Sequence, residues 1–435
     1  CRECTLQMMS FPKREQLSTF LFFLFGCLTN IPILVVIWIA ADDILAGTLW
    51  STTLLLIAVS VPDILAKVVS PAIIIRISFH LSFALLTILL VASILLLVMI
   101  DDVRVRIAGV TVLGLANGFT IMTFVTILSY YETAALLANA YQNGRLCSLF
   151  LTSLGYTGLT TWFCVAPRIT IAVCIPICFI PLGIYILLDK QPLKDHLQGT
   201  AKLVQYTKLP QEEYSNDKHD RIADKLISKT FLLLVKSFPL FIYGYLSNFC
   251  IHFSMTAVLT TLTFPSSPFL PRDHFQYYRM TSDAGIVIGG LGSFILGCTG
   301  QKWMNKFFGI RNTGLLVVIN VIHMLFFVVA SWHRFLPNVI PVFVLCFTQG
   351  ITLGLAAVQS MICATNMFSS PNDKAIALSM QEVGISVGRI TAAFLGVFIE
   401  KYLREHCTYN LLLGDYCLAR LPSSAGWSTN LICNK

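Results

Sequence analysis

The sequence predicts an all-α polytopic membrane protein with about eleven transmembrane helices in two lobes. Three observations predict it. The 435 residues are 56% hydrophobic and only 12% charged, where a water-soluble domain usually carries about 25% charged residues. Mean hydropathy is +0.76. Apolar runs of the roughly 20 residues that a bilayer-crossing helix needs recur along the chain. Disordered, collagen-like and small disulfide-framework classes are excluded, because Phe, Leu, Ile and Val abound while Gly and Pro are ordinary.

The elements follow in order. Residues 1–16 form an N-terminal segment that begins at Cys1 rather than Met, so the true N-terminus is expected to be missing. Apolar spans lie near 17–41, 51–75, 77–100, 107–131, 134–163 and 168–188, which makes a six-helix N-terminal lobe over 17–188. The first run is too long for a signal peptide and lacks a small-residue cleavage pattern, so it is expected to be retained. Residues 189–229 hold eight Lys and Arg with Glu212, Glu213 and Asp217 among them, and form a polar linker. Spans near 230–260, 279–298, 314–332, 338–362 and 375–399 make a five-helix C-terminal lobe over 230–399. Residues 400–435 are too polar for a twelfth span and are expected as a surface tail.

Orientation comes from the basic residues. With the N-terminus in the cytoplasm, sixteen Lys and Arg fall on the cytoplasmic side and nine on the other, the latter counting Arg272 as a loop residue. The excess supports that choice, since short cytoplasmic loops retain Lys and Arg. The net charge of +8 has this bland origin. No basic run interleaved with aromatics is present, so nucleic acid is not an expected partner. The bilayer and a small solute are; protein partners are left open.

Charges inside spans are the informative feature, because each costs at least about 2.5 kcal/mol at the bilayer centre unless paired or facing a cavity. Asp63 and Lys67 share a helical face at i,i+4, Arg279 and Asp283 repeat that spacing, and Glu382 and Arg389 lie two turns apart. Arg145 stands alone in Asn143-Gly144-Arg145. Lys67, Arg145 and Arg389, with Arg279, are the candidate binders of an anionic solute. Asp63, Asp283 and Glu382 are the candidate partners that replace the solute when it leaves. The competing reading is that the pairs satisfy one another and fasten helices, and it is favoured for Arg279 and Asp283, which stand where span eight begins. His252 and Gln349 are added as candidate proton-coupling groups; a hydrogen-bonded core histidine is the bland alternative for His252.

Most of the 14 cysteines, Cys164 among them, lie in apolar stretches and are expected to pack as small hydrophobes. Cys407, Cys417 and Cys433 sit in the polar tail, where they can pair. No phosphate-binding loop, His-Glu-x-x-His or Gly-x-Ser-x-Gly is present. No enzyme activity, cofactor or metal is therefore expected.

Particular stretches carry a resemblance. Phe25–Leu45 ends in Asp43-Ile44-Leu45, and Pro62 is followed by Lys67 and Pro71. Leu154–Thr160 reads LGYTGLT, Gln349–Val358 reads QGITLGLAAV, and Tyr277–Gly285, Phe335-Leu336-Pro337 and Gly384-Ile385-Ser386 complete the set. In this order and spacing over residues 17–407, the chain resembles the battenin family, lysosomal membrane proteins related to the major facilitator superfamily. The family has acidic residues where Val59, Ile121, Ser247 and Gln349 stand here, and an arginine near Gly290, which marks this chain as a divergent member.

The resemblance implies a lysosomal or late-endosomal carrier for anionic or zwitterionic phospholipid catabolites, the glycerophosphodiesters, with an influence on lysosomal pH. The alternatives it implies are a basic amino-acid transporter, or a non-transporting scaffold for lysosomal pH and vesicle traffic. Leu226-Ile227, after several acidic residues in the linker, is a candidate sorting signal; the bland reading makes it the start of span seven.

Overall fold

In a computed structural model, residues 13–34, 38–48, 50–74, 77–131, 133–190, 216–298, 310–368, 370–419 and 427–428 are described. They form helices and connecting turns. The first group comprises α1 (Lys13–Leu34), the short α2 (Ala41–Ile44), α3 (Thr53–Ile74), α4 (Phe79–Met99), α5 (Val103–Ser129) and α6 (Ala134–Thr157). It closes with a broken span, α7 (Pro167–Ala172) and α8 (Ile180–Leu187), divided by a 3-10 turn at Pro176–Phe179. The second group comprises α9 (Asn216–Phe253), α10 (Pro271–Cys298), α11 (Ile310–His333), α12 (Ile340–Met367) and α13 (Pro371–Tyr409).

Local chemistry sets several of these ends. The Ser78 hydroxyl accepts from the Leu81 N–H at the start of α4, and the Asp102 carboxylate accepts from the Arg104 N–H at 2.8 Å at the start of α5. Each satisfies an N–H that a helix start leaves without an intrahelical partner. Prolines break the sixth span, as a residue without an N–H does. Among the described residues, nine helical spans are long and apolar enough to cross a membrane. Two more helices, α6 with 24 residues and α10 with 28, have the length but carry polar side chains. Many of those side chains are buried, Gln142, Asn143, Arg279 and Asp283 among them, so these two helices contribute polar groups to the interior.

The helices pair in a repeated pattern. In the first group α1 packs on α6 and α3 on α5; in the second α9 packs on α13 and α10 on α12. Each pair therefore has a counterpart at the equivalent place in the other group, as in a major-facilitator-like carrier built from repeats. Close approach is achieved through glycine. A Cβ on Gly144 of α6 would lie 2.1 Å from the Phe23 carbonyl oxygen of α1, and one on Gly350 of α12 would lie 2.1 Å from that of Ser282 on α10. The groups meet through α6 against α10 and α12, and through α3 and α5 against α13. Phe22, Phe25, Phe83, Phe124 and Tyr141 form the aromatic core of the first group, while large apolar side chains such as Val68, Ile88, Phe231, Leu325 and Phe398 stay exposed on the outer faces. An outward apolar surface of that kind is what lipid contacts.

Several expectations are corrected. Span eight begins at Pro271 rather than 279, so Arg272, counted above as a loop residue, is a buried residue of α10. Cys164 is disulfide-bonded and is not a packed thiol. The tail is only partly a surface segment. Cys407 and Cys417 form a disulfide, the Ala419 N–H donates to the Thr260 carbonyl at 2.8 Å, and Trp427 is buried with the Arg106 guanidinium 4.9 Å from its ring. Disulfides persist in oxidising compartments. Both disulfide positions lie on the side that the basic-residue count places away from the cytoplasm. Cys433 and most of the linker lie outside the described residues.

Candidate functional site

The charges of three distant segments meet in one buried cluster. On α3, the Lys67 ammonium lies 3.4 Å from the Asp63 carboxylate one turn away. It also lies 3.3 Å from Glu382 of α13 and donates to the Ser386 hydroxyl at 2.7 Å. Glu382 takes a second cation, Arg145 of α6, at 2.7 Å. Asp63 accepts from Asn117 of α5 at 2.8 Å and from Ser386 at 2.6 Å, and stands 3.7 Å from Arg389. Glu382 and Arg389 share a face of α13 without pairing with each other; each reaches across to the first group instead. In this cluster three cations face two carboxylates, which leaves one positive charge over. Burial makes that imbalance matter, since an unpaired charge away from water is costly.

A space of about 110 Å³ adjoins the cluster, between the two helix groups. Arg145, Arg279 and Arg389 line it, with Asn30, Asn117, Gln142, Asn248 and His252 and an apolar remainder that includes Ile33, Leu146, Ile286 and Leu353. Among the described residues, no carboxylate lines it. Asp63, Glu382 and Asp283 hold the arginines from behind the wall. The Arg279 guanidinium pairs with Asp283 at 3.0 Å and lies 4.0 Å from the centre of the Trp38 ring, whose other neighbour is the His252 ring at 3.9 Å.

Most candidates from the sequence therefore converge, with changed roles. Arg145 and Arg389 reach the cavity, and so does Arg279, which lies two turns inside α10 and not at a span's start. Lys67 does not line it; all its contacts are to the cluster behind. Gln349 lies elsewhere on α12, with its amide 3.5 Å from the Ser254 hydroxyl. Leu226 and Ile227 fall inside α9, which starts ten residues earlier at Asn216; their side chains lie outside the described residues. Lys236 is exposed, and His323 is satisfied by the Ile319 carbonyl and the Thr348 hydroxyl, each at 2.9 Å.

Sequence reasoning missed a second inter-group contact. Arg272 at the start of α10 meets Asp43 of α2 in a two-pronged pair, at 2.9 and 2.6 Å. The Tyr156 hydroxyl of α6 donates to the same carboxylate at 2.7 Å. All three are buried. Nearby, Ser51 donates to Glu400 of α13, and Thr161 donates to Gln276 at 3.0 Å. These contacts tie the groups together at the disulfide-bearing end, beyond the cavity. The available signal was the Asp42-Asp43 doublet closing the first apolar run, opposite an Arg272-Asp273 start.

Helix count, paired repeats and a buried polar centre define a polytopic, major-facilitator-like membrane protein. The family model described as "CLN3 protein" matches residues 20–406. The chain belongs to the CLN3 family, the battenins. It is similar to Protein BTN1 of Kluyveromyces lactis, 24% identical over 398 residues covering 90% of this chain and 96% of the relative. Protein BTN1 of Yarrowia lipolytica is 24% identical, covering 90% and 94%, and that of Saccharomyces cerevisiae is 24% identical, covering 88% and 94%.

Proposed function

We propose that this protein is a lysosomal secondary carrier, and not an enzyme, that exports an anionic or zwitterionic phospholipid catabolite of the glycerophosphodiester class. The observation that carries the reading is the cavity wall: three arginines from both helix groups face it while every carboxylate that balances them lies behind. A phosphodiester presents one negative charge and several acceptor oxygens, which suits guanidinium donors. The cluster's single surplus positive charge matches that one charge. Alternating access would rock the groups about this midplane site, with the Asp43–Arg272 contact closing the lumenal end in one state. Solute departure returns Arg145 and Arg389 to Glu382 and Asp63, so each arginine keeps a carboxylate partner in the empty carrier. The absence of a lining carboxylate weighs against a basic amino acid as cargo. The lysosomal address rests on the family.

The test is export from purified lysosomes of cells lacking the protein. Glycerophosphodiesters should accumulate there, and the intact protein should clear them while Arg389→Ala and Arg279→Ala do not. Normal glycerophosphodiester levels in the null cells would sink the idea. Stabilisation of the purified protein by arginine or lysine, and not by glycerophosphodiesters, would move the assignment to cationic amino acids.

A further inference from the structure

The three arginines that line the cavity are fixed in different ways. Arg145 of the first helix group pairs with Glu382 of the second, and Arg389 of the second stands near Asp63 of the first. Each of these two is held by a carboxylate from across the junction. The carboxylate partner of Arg279 is instead Asp283, one turn along its own helix, which accepts from the Arg279 Nε at 3.2 Å. From the first group it is the Trp38 ring that reaches Arg279, with the guanidinium carbon 4.0 Å from the ring centre.

Trp38 stands just beyond the end of α1, half-buried against the hydrophobic core that includes Phe22, Phe25 and Phe124, and it lines the cavity. The His252 ring, at 3.9 Å, is a second neighbour from the other group. The same two segments meet again where Asp43 pairs with Arg272. Trp38 is therefore anchored on one group and placed against an arginine of the other. A cation over an aromatic face is attracted by the negative face of the ring, most strongly for Trp. The N–H donors of a guanidinium lie in its own plane, so a ring takes the face and leaves the edges to oxygen partners. A second carboxylate in that place would take those donors and compete with an anionic solute. The ring orients the arginine without neutralising it.

We propose that Trp38 is a positioning residue for anion binding, holding the Arg279 guanidinium at the cavity wall from the opposite helix group. The inference rests on the anion-carrier reading above. Trp38 acts through Arg279, and what acts is its aromatic face more than its bulk.

The experiment measures binding of glyceryl ethyl phosphate, a monoanionic diester, to the full chain in lipid nanodiscs. Trp38→Leu, which keeps apolar bulk and removes the ring, should weaken binding about tenfold, and Trp38→Phe, with its smaller ring, about threefold. In an Arg279→Gln background both changes should alter binding by less than about 1.5-fold, because the group they position is gone. In an Arg389→Gln background the full losses should remain. If Arg279→Gln abolishes binding, Arg279→Lys, which keeps the charge and loses the plane, takes its place, and the Trp38 changes should cost less there than in wild type. If Trp38→Leu does not fold, Trp38→Phe carries the comparison alone. Wild-type affinity in the Trp38 variants, losses of equal size with and without Arg279, or a Trp38→Phe protein as weak as Trp38→Leu overturns the assignment. Failure of the anion-carrier reading looks different: wild-type protein does not bind the diester, or Arg279→Gln and Arg389→Gln each leave its binding unchanged.

Discussion

Arg145 and Glu382 meet at 2.7 Å across the junction of the two helix groups, although 237 residues separate them in the chain. Glu382 also holds Lys67, so one carboxylate serves two cations from two helices of the first group.

That sharing makes Glu382→Gln costly. The change leaves Lys67, Arg389 and the half-buried Arg145 with Asp63 alone, and breaking a buried pair in this way costs about 3–5 kcal/mol. Unfolding in detergent, followed by heat or denaturant, should show the loss. Adding Arg145→Met, which removes the stranded cation, should restore part of it. A double variant no more stable than Glu382→Gln would mean that the pair contributes little.

If the protein works as the carrier proposed above, Asp43 and Arg272 should separate when it opens at their end. Asp43→Cys combined with Arg272→Cys, joined by a short bifunctional thiol reagent, should lock transport, and a reductant-cleavable linker should release it. Undiminished transport in fully cross-linked protein would show that this contact does not move in the cycle.

Orientation is open to a direct check. The span count places Cys407 and Cys417 opposite the N-terminus, and their disulfide would persist there in an oxidising compartment. A glycosylation acceptor inserted near Leu412, an exposed residue between them, should acquire glycan, whereas one placed before Lys13 should not. The reverse pattern would invert the topology.

The Leu226-Ile227 pair lies ten residues into α9 and not at its first turn. If it serves as a sorting signal, Leu226→Ala with Ile227→Ala should shift the protein from lysosomes to the plasma membrane while it remains folded. Unchanged lysosomal staining would place the address elsewhere.

By itself the sequence determined the membrane class and the approximate number of long apolar segments, and it set the expectations of a polar linker and of a cytoplasmic N-terminus. These depend on hydropathy and charge within a single segment, which each segment carries alone. It also determined which residues were expensive: Asp63, Lys67, Arg145, Arg279, Asp283, Glu382 and Arg389 stand out because lipid penalises them wherever they sit. Only the tertiary structure decided their partners. Spacing on α13 pairs Glu382 with Arg389, yet helix packing sends one to Lys67 and Arg145 and the other to Asp63. Lys67 thereby leaves the cavity wall, and Arg279 joins it because α10 starts eight residues before the apolar run becomes visible. Asp43 and Arg272 were not read as partners, since each looks like a residue at a water-facing helix end. Pairing across 229 residues depends on how two groups of helices dock, and docking is a property of surfaces in three dimensions that no single segment encodes.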